Sequence, residues 1–200
     1  MPHATTPPAT TPRATTPTPR QRLIDAAADL FYRQGIGAVG VDLVSKAAGV
    51  SKRTLYAEFG SKDQLIAQSL DEKGAGILGI YLPAEGSDAP PRQAILAVFG
   101  RLSEWTGAEQ YRGCPFINTA TELADAGHPA RRVARAYKLR LREYFEHQAS
   151  LGRAEDPGRL ALQLLAFFDG AIVQAVMGNG LDPGTIQAAV TALLDAEHLR

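Results

Sequence analysis

The 200-residue sequence holds one cysteine, one tryptophan and two methionines, and its formal charges cancel, 21 Lys and Arg against 21 Asp and Glu. A single cysteine excludes an internal disulfide framework and suits a reducing compartment such as the cytoplasm. Zero net charge excludes a uniformly basic protein. It leaves room for a local basic patch, because attraction to phosphate depends on where the charges sit. β-Branched aliphatics are scarce, 18 Val and Ile against 33 Ala and 22 Leu, which leans the composition to an all-α fold. No cluster of residues has metal-ligand spacing, and no metal or cofactor is expected. The N-terminus has no apolar run, so it is not a signal peptide.

What is present begins with an unusual N-terminus. Residues 1–19 contain seven Thr, six Pro and three Ala, leaving only Met1, His3 and Arg13. Such a segment cannot recover its ordering entropy by burial, so it reads as a disordered arm. From Arg20 the texture changes. Ile24, Ala27, Ala28 and Phe31 recur at helical spacing, and Gly35 stands where a helix would be capped. A shorter helix is expected over Val41–Ala48, broken by Gly49. Ser51 is placed to cap a very short third helix through about Ala57. Ser61-Lys62-Asp63-Gln64 reads as a capping box opening a fourth.

Further along, prolines at 83, 90 and 91 mark a loop. Ile95, Val98, Phe99, Leu102 and Trp105 form one buried stripe, and Pro115–Ala126 is expected to be another helix. Pro129 opens a long helix to Leu151 whose second face is basic, from Arg131 to Arg142, and reads as solvated. Pro157 opens the next helix and Asp182-Pro183 the last. Residues 160–178 are apolar nearly all round and long enough to span a bilayer. Gln163, Asp169 and Gln174 interrupt them, and a central Asp costs roughly 2.5–3.5 kcal/mol on insertion. The better reading is a helix covered once by its own domain and once by a partner subunit, with no membrane involved.

Helix, short turn with Gly, short helix is a helix-turn-helix pattern. Leu55 and Phe59 would point inward with Val44 and Phe31, fixing the short helix as a rigid probe. Its outer face would show Lys52, Arg53, Thr54, Tyr56 and Ala57. Arg53 has the forked donors that read guanine in the major groove. Lys52, Thr54 and Tyr56 suit phosphate oxygens, and Lys62 sits at a helix N-terminus that favours a phosphate. Residues 51–62 carry a local charge of +2, from Lys52, Arg53 and Lys62 against Glu58.

These residues resemble the DNA-binding domain of the TetR family of transcriptional regulators. The matching elements are Ala26-Ala27, Leu30-Phe31 and Gly35, then Val41, Val44 and the run Ala47-Ala48-Gly49-Val50-Ser51-Lys52. Thr54-Leu55-Tyr56, Phe59 and Ser61-Lys62-Asp63 complete the match over about residues 20–70. The resemblance implies three parts: an arm (1–19), a helix-turn-helix domain (20–66) and a helical ligand-binding and dimerisation domain (67–200). It implies a homodimer, joined through 157–198, that binds a palindromic double-stranded DNA operator. It also implies a repressor released by a small-molecule effector. DNA contacts are expected from Ser51, Lys52, Arg53, Thr54, Tyr56, Ala57 and Lys62. The sequence departs from the family at Gly40, where a Ser or Thr usually caps the second helix, and at Ala57, where a larger residue is usual. Ala57 cannot donate a hydrogen bond, which shifts base reading onto Arg53.

An effector pocket is expected among Trp105, Phe116, Asn118, Glu122, Gln163, Phe167 and Phe168, apolar with a few polar groups. Two alternatives differ in class. One is a helical small-molecule-binding protein without DNA function. The other is a hydrolase built on Cys114, His128 and Glu122, which no spacing in the sequence supports. The chain is therefore not expected to be an enzyme.

Overall fold

The computed structural model describes residues 17–83, 88–180 and 182–199. Among these residues lie nine helices and no strand. They are α1 (Pro19–Gln34), α2 (Val41–Ala48), α3 (Lys52–Phe59), α4 (Lys62–Tyr81), α5 (Pro91–Thr106), α6 (Pro115–Glu122), α7 (Pro129–Leu151), α8 (Pro157–Val176) and α9 (Pro183–Ala196). The all-α expectation holds. Six of the nine open on proline, whose fixed φ suits the first helical position and whose missing N–H would have no partner there.

The expected arm lies outside the described residues except at its end, which is ordered. The Thr18 hydroxyl accepts from the Gln21 amide at 3.1 Å and Pro19 is already helical, so α1 starts before Arg20. α3 runs past Ala57 to Phe59 and stops at Gly60, whose φ is 74°. α6 is shorter than expected and ends at Glu122 rather than Ala126. Leu123 turns extended and packs on the N-terminal core, while Arg131 donates to the Leu123 and Ala124 carbonyls. Those side-chain bonds satisfy two groups that a longer helix would have paired.

Two apolar cores form. The first gathers Leu23, Ile24 and Phe31 of α1, Val44 of α2, Leu55 and Phe59 of α3, and Leu65 and Ile66 of α4. The second is built by α4, α5 and α7–α9 with Phe116 of α6, around Tyr81, Phe99, Phe145 and Phe168. α4 belongs to both, giving Leu65 and Ile66 to one core and Leu70, Leu78 and Tyr81 to the other. α4 meets α7 closely at Gly74, where a Cβ would lie 2.1 Å from the Tyr137 ring. That ring stacks on Phe116 at 4.8 Å, and its hydroxyl donates to the Asp71 carbonyl at 2.8 Å.

α8 is the one described helix long and apolar enough to cross a membrane. Its Leu160, Leu164, Phe168 and Ile172 are buried in the second core. Leu162, Val173 and Val176 are exposed on the other side, with Met177 just beyond.

Candidate functional site

The α2–α3 turn rests on Gly49, which takes left-handed angles (φ 61°, ψ 38°) and sends its N–H back to α2. A residue with a Cβ would be strained there. Ser51 then caps α3, its hydroxyl accepting from the Thr54 amide at 3.1 Å and meeting the Thr54 hydroxyl at 2.9 Å. Gly40 precedes α2 with no side-chain cap, as its missing hydroxyl requires. Leu55 and Phe59 are buried, which locks the orientation of α3.

The opposite face of α3 is open. Arg53 and Ala57 are exposed, and Tyr56 keeps 47% of its surface. Among the described residues nothing hydrogen-bonds or ion-pairs the Arg53 guanidinium or the Tyr56 hydroxyl. Lys52 is exposed but ion-paired with Asp42 of α2. Lys62 is less free than the sequence implied. It is half-buried, and its Nζ donates to the Ile36 carbonyl at 2.8 Å and lies 5.9 Å from the Phe31 ring centre. The ammonium keeps further protons for a phosphate, but it is also a strut inside the N-terminal unit. Arg20, at the start of α1, is also engaged, pairing with Glu72 and stacking over Phe59.

A second feature lies between the two cores. A cavity of about 270 Å³ is walled by α1 (Ala28, Asp29, Tyr32), α4 (Ser69, Lys73, Ile77), Trp105 of α5 and α6 (Asn118, Thr119, Glu122). Trp105, Asn118 and Glu122 are thus brought together as expected. Phe116 and Phe168 are instead buried in the second core, one stacked on Tyr137 and the other edge-on to Tyr81. Phe167 packs against Phe99, and Gln163 is exposed on α8. These four are not part of the cavity: α6 turns Phe116 into the core, and α8 turns the other three into the core or away from it. The α1 and α4 walls could not be read from sequence. They come together only through tertiary packing of helices whose apolar stripes look complete on their own.

Two of the polar ties across this boundary join cavity-lining side chains to backbone. A carboxylate oxygen of Glu122 accepts from the Ile36 amide at 2.6 Å. The Tyr32 hydroxyl accepts from the Arg112 amide at 2.8 Å and donates to the Gly113 carbonyl at 3.1 Å. Burial raises the pKa of Tyr32, as it does those of Tyr81 and Tyr111, so these phenols stay protonated. The hydrolase alternative finds its three groups occupied elsewhere. Cys114 is fully buried, Glu122 holds Ile36, and His128 accepts from the Ala130 amide and faces Asp63 at 3.3 Å.

Comparison with known proteins gives matches at both ends. Residues 23–68 match the family model for bacterial regulatory proteins of the tetR family. Residues 116–199 match that for the C-terminal part of BetI-type transcriptional repressors. A crystal structure described as a TetR transcriptional regulator from Streptomyces avermitilis MA-4680 is 43% identical, with a TM-score of 0.88 over 92% of this chain and 100% of that one. SCO4454, a TetR-family regulator from Streptomyces coelicolor, is 27% identical with a TM-score of 0.78 over 90% and 96%. The HTH-type transcriptional regulator LmrA of Bacillus subtilis is 26% identical over 82% of this chain and 89% of its own.

Proposed function

The chain belongs to the TetR family of bacterial transcriptional regulators, and from that premise we propose how its parts divide the work. Residues 20–66 read DNA, and residues 67–200 dimerise and receive a small molecule. α3 enters the major groove. Arg53 addresses a base edge, Ala57 contacts a thymine methyl, and Ser51, Lys52, Thr54 and Tyr56 position the helix on phosphates. Lys62 adds a phosphate contact from the start of α4. Two protomers present their α3 helices to successive grooves about 34–36 Å apart, so the operator is palindromic. The protein acts as a repressor in the cytoplasm, and the effector lowers operator affinity by favouring a conformer whose α3 spacing no longer fits. By linkage, DNA lowers effector affinity by the same factor.

The observation that carries this reading is the state of α3. It is fixed by Leu55 and Phe59 on one side and unengaged at Arg53 and Tyr56 on the other. A helix held through two buried positions, with an unpaired guanidinium and an open tyrosine on its outer face, suits a groove-reading role.

Association follows from the apolar stripe Leu162, Val173, Val176 and Met177. Pairing α8 and α9 with a second copy would cover it in a four-helix arrangement. A mobility-shift assay with the chain's own upstream DNA tests the proposal. A shift that survives excess unlabelled random duplex but not excess unlabelled upstream DNA supports it, and a shift abolished equally by both competitors refutes it.

A further inference from the structure

The cavity between the two cores is nearly all carbon inside, with aromatic walls from Phe31, Tyr32 and Trp105. Its ionic groups do not balance. Lys73 is paired with Asp25, and Asp29 with Arg33. Glu122 also lines the cavity, and among the described residues no cation pairs with it; its hydrogen-bond partner is the neutral Ile36 amide. Glu122 is exposed to solvent yet lines the same cleft as three aromatic rings, and a carboxylate and ring faces in one cleft can hold an organic cation, by ion pairing and by the negative faces of the rings. Size narrows the class further. A cavity of about 150 Å³ accepts benzene, so 270 Å³ accommodates two fused rings.

We propose that this cleft binds a flat, two-ring organic cation whose charge competes with the Ile36 amide for Glu122. The proposal rests on the reading of the chain as a ligand-responsive regulator, and it supplies that reading with a site, a ligand class and a route. The bound cation takes the Glu122 carboxylate, which frees the turn between α1 and α2 from α6. The ligand lies against Ala28 and Tyr32, on the helix that carries the N-terminal core. Occupancy therefore acts directly on how α1–α3 sit relative to α4–α9. The second core is occupied by the buried rings of Tyr81, Phe99, Phe116, Phe145 and Phe168.

The test is calorimetric titration of the full-length protein, without DNA, with three fused-ring probes substituted at the same position: N-methylisoquinolinium, 2-methylnaphthalene and naphthalene-2-sulfonate. The expected order is the cation at least tenfold tighter than the neutral hydrocarbon, and the sulfonate weakest. Glu122→Gln should abolish the preference for the cation while the neutral probe still binds. Ala28→Phe should abolish binding of all three by filling the cleft. Ile80→Trp, on an exposed rim position, does the same from α4 if Ala28→Phe fails to fold. No binding of the cation at millimolar concentration, a sulfonate equal to the cation, or binding unaffected by either filling variant overturns the site. Operator titration with and without the cation reads the coupling separately. Binding in the cleft that leaves operator affinity unchanged overturns the route through Glu122. Absence of operator binding in the ligand-free protein refutes the regulatory reading itself, a failure distinct from that of the site.

Discussion

Arg53 separates reading a base from holding the backbone. Its guanidinium is exposed and unpaired, whereas Lys52, one residue away, is held by Asp42. A bidentate contact to guanine discriminates by roughly 1–3 kcal/mol, while a phosphate contact weakens all sequences alike. Arg53→Ala should therefore lose that amount on the operator and much less on random duplex, with relaxed preference at one symmetric base pair per half-site. Titration on single-position operator variants checks it, and equal losses on both DNAs would reduce Arg53 to a backbone contact. The side chains of α3 were legible in the sequence because an eight-residue helix with two buried positions leaves few choices for its outer face. Lys62 and Glu122 were only half legible. Each was expected to face a ligand, and each is also tied to Ile36, one through its carbonyl and the other through its amide. Contacts made 26 and 86 residues apart leave no periodic trace.

At the scale of elements, α8 shows what apolarity alone leaves open. The sequence marks it as covered on two sides but not which residues face which cover. Ala171 would be a natural choice for disrupting association, yet it is buried in its own protomer's core, so a charge there would damage the fold first. Val173 is the informative position, 43% exposed on the opposite face. Val173→Glu should leave helicity intact and weaken dimerisation by roughly two orders of magnitude, since an unpaired buried charge costs several kcal/mol. Light scattering across a concentration series measures this, and a wild-type protein that is monomeric at micromolar concentration would refute the dimer.

The start of α8 is clamped by Glu197, whose carboxylate accepts from Arg159 at 2.7 Å and from the Asp156 amide at 3.0 Å. The Arg159 hydrogen bond is the main cause of its lowered pKa. A carboxylate lowered in the folded state contributes stability above its unfolded pKa and loses it as pH falls through the folded value. Glu197→Gln should lower the melting temperature at about neutral pH, with the gap from wild type closing below about pH 4. A gap that stays constant over that range would show that the clamp does not depend on charge.

For the whole molecule, α4 connects what the sequence presents as separate halves. Helix number, helix starts and the helix-turn-helix segment were readable because proline, glycine and capping residues punctuate them locally. The cleft was not, because α1 contributes to it with the same face region that serves the first core, and no local pattern marks a helix that works for both. α3 presents its open outer face, α8 an exposed apolar stripe, and a cavity lies between the two cores. On the proposed reading the protein discriminates among DNA sequences. The direct measurement is titration of the dimer onto a duplex selected from a random pool, beside a scrambled duplex of equal length, at about 150 mM salt. Specific recognition by two α3 helices should give a preference of at least roughly 10³-fold. Equal affinities that fall together with rising salt would contradict the account, leaving only nonspecific attraction to phosphate.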